Sequence, residues 1–243
     1  MQLLFFSQPF SVIIEAMYQN KRIAAILLMG GEGRRFGSSL PKQFHLLGGK
    51  KVFDHALDAF VATGLFDEIL LVCHKDWMPR EGVARVVEGG NTRQESSYRG
   101  LKSFAVRPDI VLIHDGVRPF VTERILRENV RDAVAYGAVD TCIPSADTLV
   151  HAPGREVIAS IPKREEFLRG QTPQTFQIDW ILEAHEKARE DGIENASDDC
   201  GLVLRLGKPV RVVLGEERNL KITSELDLFL AEQILQRSYT ARG

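Results

Sequence analysis

Apolar and polar positions change rhythm repeatedly along this chain. Ile23 to Leu28 is apolar at every position, the pattern of a strand buried on both faces. Phe53, Ala56, Leu57 and Phe60 then recur at helical spacing, which predicts a helix over 52–61. Apolar runs at 68–73, 83–87, 110–114 and 138–143 predict four further strands. Helices are predicted at 92–104 and 122–136, the second with Thr122 as its N-cap. A helix near 178–191, a strand at 210–214 and a last helix from about Ser224 complete the series. Ser224 and Asp227 have the spacing of a capping box. Alternation of this kind predicts an α/β fold, a Rossmann-like doubly wound and mostly parallel sheet.

The rhythm breaks once. Residues 148–151 and 157–161 are short extended runs joined through Ala152-Pro153-Gly154-Arg155, a hairpin signal. Few large apolar residues are available there for a core. A protruding β-hairpin arm is therefore expected over approximately 145–168. The remainder of 22–243 reads as one domain, a size suited to a single large α/β unit. Residues 1–21 read as an N-terminal extension. Met1 to Ala16 is apolar, but no basic segment precedes it, Pro9 and Glu15 interrupt it, and it is too short to span a bilayer.

Composition narrows the classes. The hydrophobic fraction of 44% and the charged fraction of 26% are those of an ordinary globular protein. A net charge of −2 gives no global attraction to nucleic acid. Positive charge must act locally, and neither a nucleic acid nor a membrane is an expected partner. Cys73, Cys142 and Cys200 are scattered without metal-type spacing, as expected for reduced thiols in a cytoplasmic protein.

Local positive charge is concentrated after the first strand. Met29-Gly30-Gly31-Glu32-Gly33-Arg34-Arg35-Phe36-Gly37 is followed shortly by Pro41-Lys42-Gln43. Glycines let backbone N–H groups approach an anion, and Arg34, Arg35 and Lys42 add charge, so the loop reads as a polyphosphate cradle. An ordinary strand-to-helix turn is the other reading. A Walker loop is excluded because no Lys-Ser/Thr follows. A dinucleotide fingerprint is disfavoured because Phe36 stands where its last glycine belongs.

Four more segments carry candidate chemistry. His114-Asp115-Gly116-Val117-Arg118-Pro119 puts Asp115 at the carboxyl end of a strand, where ligands of open α/β sheets bind. A lone carboxylate there suits Mg²⁺, or it caps the next turn. The loop over 88–96, with Gly90, Asn91 and Ser96, reads either as a contact for a flat base or as an N-capped helix start. Lys221 in Asn219-Leu220-Lys221-Ile222-Thr223 is a phosphate contact or a surface lysine. Ser197-Asp198-Asp199 caps a helix or binds polyol hydroxyls.

Taken together, these segments resemble one family. Gly31-x-Gly33-Arg34-Arg35, Pro41-Lys42-Gln43, Gly89-Gly90-x-x-Arg93-x-x-Ser96, His114-Asp115-x-x-Arg118-Pro119, Asp147-Thr148, Thr172-Pro173-Gln174 and Lys221-x-Thr223 occur in its order and approximate spacing. The family is 2-C-methyl-D-erythritol 4-phosphate cytidylyltransferase, and the resemblance runs from about Arg22 to the last helix. It implies a CTP-dependent nucleotidyltransferase of non-mevalonate isoprenoid biosynthesis that uses Mg²⁺. It also implies a homodimer whose arms reach into the partner's site.

Roles follow by position. Arg35, Lys42 and Lys221 match the catalytic cations, and Asp115 matches the metal ligand. Gly30, Gly31, Gly33, Gly90, Asn91 and Ser96 match the nucleotide-binding positions. Arg118, Thr148, Arg164, Ser197 and Thr223 match positions near the sugar phosphate. The chain departs from the usual pattern at Met29-Gly30, Gly116-Val117, Asn91 and Ser197, none of them a charged catalytic position. The same chemistry on ribitol 5-phosphate is the nearest alternative. A non-catalytic nucleotide-binding regulator and an NAD-dependent oxidoreductase are the more distant ones.

Overall fold

The computed structural model describes residues 20–30, 40–74, 76 and 84–240. Gly31, Gly33, Arg35 and nearly all of the N-terminal extension lie outside the described residues. Strand β1 (Ile23–Met29) is buried at every position. Its side chains alternate between two cores. Ala25, Leu27 and Met29 face one, and Ile26 and Leu28 face the other. That double burial is why the run has no polar break. Burying one Leu or Ile contributes about 1.5–3 kcal/mol, and a charge in place of Leu27 would break the layer it faces.

A two-stranded ribbon follows, β2 (Leu46–Leu47) with β3 (Lys50–Lys51). Helix α1 (Val52–Ala62) leads to β4 (Glu68–Cys73) and β5 (Arg85–Glu88). Helix α2 (Arg93–Leu101) precedes β6 (Ile110–Asp115), and α3 (Glu123–Tyr136) precedes β7 (Ala138–Pro144). After β8 (Leu168–Gln177) come α4 (Ile178–Glu190), α5 (Cys200–Arg205), β9 (Arg211–Leu214) and α6 (Glu225–Thr240). The sheet has seven strands in the order β5-β4-β1-β6-β8-β7-β9. Helices α1 and α3 cover one face, and α2, α4 and α5 cover the other. The sheet is doubly wound and mostly parallel, as the alternation predicts. Helix α6 packs through Ala231 and Leu235 onto Leu47, Val52 and Ile222, beside the ribbon.

Three elements differ from expectation. Strand β8 was not predicted, and it runs antiparallel to both β6 and β7. It is polar through Gln171, Thr172, Gln174 and Thr175, all buried, so hydrophobic patterning gives no sign of it. Helix α5 follows Ser197-Asp198-Asp199, as the helix-cap reading of that segment expects, but Asp199 takes the N-cap position without a side-chain capping bond. Thr122 occupies the N-cap position of α3 without capping it. Its hydroxyl donates to Glu216 Oε1 instead, at 2.9 Å.

The segment between β7 and β8 is largely exposed. A single antiparallel bridge joins His151 to Ser160. The turn is closed by Arg155 N donating to Ala152 O at 3.0 Å. The hairpin is thus reduced to one bridge and a tight turn, with irregular backbone on either side.

Candidate active site

Residues at the carboxyl ends of β1, β4, β5 and β6 surround a cleft of about 640 Å³. Gly30, Lys42, Gly90, Asn91, Ser96, Asp115 and Lys221 all line it. Its floor is apolar, through Leu28, Met29 and Val117. A second cavity of about 240 Å³ opens beside it, with Arg118 and Ser197 in its wall. Arg93, Asp115 and Lys221 line both. The junction of the two cavities is therefore one carboxylate and two cations.

The local sequence builds this junction in steps. Asp115 ends β6, and its backbone N donates to Thr172 Oγ1 on β8 at 3.1 Å. Gly116 N donates to Leu28 O at 2.9 Å, which ties the turn to β1. Ile222 N donates to Val117 O at 2.9 Å, and this clasp brings Lys221 over Asp115. Lys221 Nζ then lies 2.8 Å from Asp115 Oδ2. Arg93 Nε is 3.4 Å from Oδ1, and Arg118 Nε is 3.7 Å from Oδ2. Burial alone would raise the Asp115 carboxyl. The charges of Arg93, Lys221 and Arg118 outweigh that and hold it well below the usual carboxylate range. It is ionised at any physiological pH.

Beneath the carboxylate sits a buried polar scaffold. His114 is wholly buried, and desolvation pushes it down to about 4, so its ring is neutral. Its Nε2 is 3.2 Å from Arg118 O, an acceptor, so Nε2 carries the proton. Nδ1 then accepts from the Thr172 hydroxyl at 3.0 Å. Arg118 Nη1 donates to Asn219 O at 2.8 Å, and Asn219 Nδ2 donates to Thr172 O at 2.9 Å. Every link fixes either Asp115 or Arg118.

The loop before α2 forms the N-capped helix start that was one of its two sequence readings. Thr92 accepts from Glu95 N at 3.1 Å, and Glu95 Oε2 accepts from Asn91 N at 2.9 Å. The first bond is half of a capping box, and the second falls one residue before the N-cap. A Cβ at Gly90 would run into the Glu95 side chain, which the turn already commits to Asn91 N. Ser96 closes the same turn, its Oγ accepting from Gly90 N at 3.0 Å. The glycines thus serve the helix start first, and the capped turn forms one wall of the larger cleft.

Other expected site residues lie elsewhere. Thr148 and Arg164 are on the largely exposed segment between β7 and β8 and line neither cavity. Arg164 Nη1 donates to Ala146 O at 3.0 Å. Thr223 also lines neither cavity; its hydroxyl donates to Asp227 Oδ2 at 2.6 Å, at the start of α6. Sequence reasoning missed Arg93, although it stands in the Gly89-Gly90-x-x-Arg93-x-x-Ser96 motif. Its signal was a basic residue in the first turn of a helix, where acidic residues are favoured. It also missed Gln43, whose Nε2 donates to Met29 O at 2.6 Å and joins the Lys42 segment to β1.

Similarities to known proteins bear on this geometry. The family model for 2-C-methyl-D-erythritol 4-phosphate cytidylyltransferase matches residues 23–237. The chain belongs to that family. It is 38% identical over 237 residues to the 2-C-methyl-D-erythritol 4-phosphate cytidylyltransferase of Thermobifida fusca (strain YX), covering 90% of this chain and 95% of the relative. Among solved structures it resembles 4-diphosphocytidyl-2C-methyl-D-erythritol synthase from Anaerococcus prevotii DSM 20548, with a TM-score of 0.79 and 32% identity over 91% of this chain and 99% of that one. The 2-C-methyl-D-erythritol 4-phosphate cytidylyltransferase of Thermus thermophilus gives a TM-score of 0.75 and 36% identity, over 87% of this chain and 98% of that one. As a member of a cytidylyltransferase family, the chain is a nucleotidyltransferase. No helix among the described residues is long and apolar enough to cross a membrane.

Proposed function

We propose that this cytidylyltransferase transfers the cytidylyl group of CTP to 2-C-methyl-D-erythritol 4-phosphate and releases pyrophosphate. The observation that carries the reading is the shared junction. A cleft of about 640 Å³ that suits a nucleotide meets a smaller, charged cavity at Asp115, Lys221 and Arg93. The acceptor's phosphate oxygen attacks the α-phosphorus. A P–O bond forms, the bond to the β-phosphate oxygen breaks, and pyrophosphate leaves with the electron pair. The attacking phosphate is already an anion, so no general base is needed. The chain's work is positioning and charge neutralisation.

Lys42 and Arg35 are assigned to the triphosphate, Arg35 by its place in the glycine-rich motif alone. Lys221 is assigned to the reacting phosphates. Gly30, Gly31, Gly33, Gly90, Asn91 and Ser96 are assigned to the nucleotide. Arg118, Ser197 and Thr223 are assigned to the acceptor. Asp115 is the candidate metal ligand. Among the described residues no group of three or more His, Cys, Asp or Glu side chains is placed to cage an ion. A single ionised carboxylate fits Mg²⁺, which takes one or two protein carboxylates and completes its shell with phosphate oxygens and water. Bound there, Mg²⁺ would offset charge on the nucleotide phosphates.

The working unit of this proposal is a homodimer. The segment over 145–168 would deliver Thr148 and Arg164 to the partner's acceptor cavity. Val157 and Ile161, 77% and 62% exposed, are the apolar surface such a contact would cover. We assign the enzyme to the cytoplasm, where its three free, buried thiols would stay reduced. The test is pyrophosphate release from CTP and Mg²⁺ with either 2-C-methyl-D-erythritol 4-phosphate or ribitol 5-phosphate. Turnover with the first and little with the second is expected. Preference for ribitol 5-phosphate, or no CTP-dependent release, would overturn the assignment.

A further inference from the structure

Arg93 stands between two carboxylates that belong to different parts of the fold. Its Nε faces Asp115 Oδ1 at the end of β6, and its Nη1 lies 2.7 Å from Asp199 Oδ2 at the start of α5. A planar guanidinium can serve two such partners at once, and an ammonium cannot hold the same geometry. Asp199 is wholly buried and does not touch either cavity. Its Oδ1 accepts from Ser97 Oγ at 2.8 Å and from His185 Nε2 at 2.9 Å. Its backbone N donates to Gln174 Oε1 at 3.0 Å. His185 has no exposed surface, and its Nδ1 finds no hydrogen-bond partner among the described residues. The ring therefore spends its single polar contact on Asp199.

As a stability device this arrangement is poor. A buried carboxylate, a partly buried guanidinium and a half-satisfied histidine cost desolvation that an apolar cluster would avoid. Its geometry gains something else. One guanidinium is fixed in direction in the wall that the two cavities share.

We propose that Asp199 is a positioning residue of the transfer reaction: braced by Ser97 and His185, it holds the Arg93 guanidinium against Asp115 at the junction of the two cavities. It acts through Arg93 on the orientation of the Asp115 carboxylate, and so on the groups that meet the transferring phosphate. The inference rests on the cytidylyltransferase reading.

The experiment compares pyrophosphate release, KM for CTP and melting temperature across variants of the full chain. Asp199→Asn is expected to lower kcat on the order of 10- to 100-fold with KM for CTP little changed, as misplacement of a reacting group does. Asp199→Asn with Arg93→Lys is expected to be no slower than Arg93→Lys alone, because the two act as one unit. If Asp199→Asn does not fold, the His185 pair carries the test. His185→Leu removes the brace and is expected to slow turnover, whereas His185→Gln keeps an N–H donor and is expected to recover most of it. Wild-type kcat in folded Asp199→Asn, multiplicative losses in the double variant, or equal losses in the two His185 variants would each overturn the relay. A wild type without CTP turnover would remove the functional reading and the relay with it. An active wild type with indifferent variants would remove the relay alone.

Discussion

The two cavities share Asp115, Lys221 and Arg93, yet opposite halves of the sheet build them. The larger lies over the carboxyl ends of the parallel strands β1, β4, β5 and β6. Its walls are glycine turns, a capped helix start and an apolar floor. The smaller is walled by β8, which is antiparallel to both neighbours, and by the loop ahead of α5. It is lined almost wholly by charged and polar side chains. The larger cavity draws on loops whose backbone does the shaping. The smaller draws on side chains that must be paired one by one. Charge on the first side is supplied by chain segments close in sequence to the strands. On the second, part of the proposed set stands on an exposed segment that lines neither cavity in a single protomer.

The largest expected effect falls at the shared junction, where both cavities fail together. Lys221→Ala is expected to lower kcat by ~10²-fold or more, as loss of a preorganised charge at a developing anion does. Steady-state pyrophosphate release measures it. A variant that merely raised KM for one substrate would show that the cavities are less coupled than the geometry implies.

The second effect separates the cavities. Arg164→Ala is expected to reduce kcat/KM for the polyol phosphate by about 10- to 100-fold, the scale of a lost charge-assisted hydrogen bond, with KM for CTP unmoved. The same residue tests the dimer. Arg164→Ala and Lys42→Ala chains, each impaired alone, should regain turnover when their subunits exchange, because one site of the mixed dimer then holds both native residues. Verified mixed dimers that stay inactive would show that the arm serves its own protomer or none.

The smallest effect concerns stability on the acceptor side. Asp140 on β7 is raised to about 6, mainly by burial, with Asp198 adding repulsion and the amide of Gln174 offsetting part of it. An unfolded Asp titrates near 3.9. Below about pH 4 both states are protonated and the site costs nothing. As pH rises toward 6 the unfolded chain ionises first, and folding loses stability. Above 6 the loss is complete, on the order of 1–3 kcal/mol. Asp140→Asn keeps a hydrogen-bonding partner for Gln174, so it should raise the melting temperature at pH 8 and not at pH 4. Equal shifts at both pH values would refute the charge explanation.

The difference between the halves also decides what could be read in the sequence. Strands β1, β4 and β6 were legible because burial on two faces demands unbroken apolar runs. Asp115 was legible because it ends β6, Gly90 and Ser96 because they follow β5, and Lys42 because it stands in the Pro41-Lys42-Gln43 motif. Strand β8 was not, because its core contacts are polar. Thr175 Oγ1 donates to Asn129 Oδ1 at 3.0 Å, Asn129 Nδ2 to Thr141 Oγ1 at 2.9 Å, and Thr141 Oγ1 to Pro173 O at 2.6 Å. Such a chain satisfies itself internally and leaves no hydrophobic period. Arg93 and Asp199 were missed for a related reason. Their meaning lies in a pairing across 106 positions, which no local spacing announces.

The clasp between Ile222 and Val117 has a consequence for the order of assembly. The polar junction gathers residues 93, 115, 118 and 221, so its last member arrives from far along the chain. Contacts this distant in sequence are slow to form, because a long loop must close before they repay its entropy. A chain folded only through β6 would already possess the turns that shape the larger cleft. It would lack the lysine that completes the charge at the junction. Completion of the charge at the junction is thereby tied to the docking of the segment ahead of α6, the last part of the site to be synthesised.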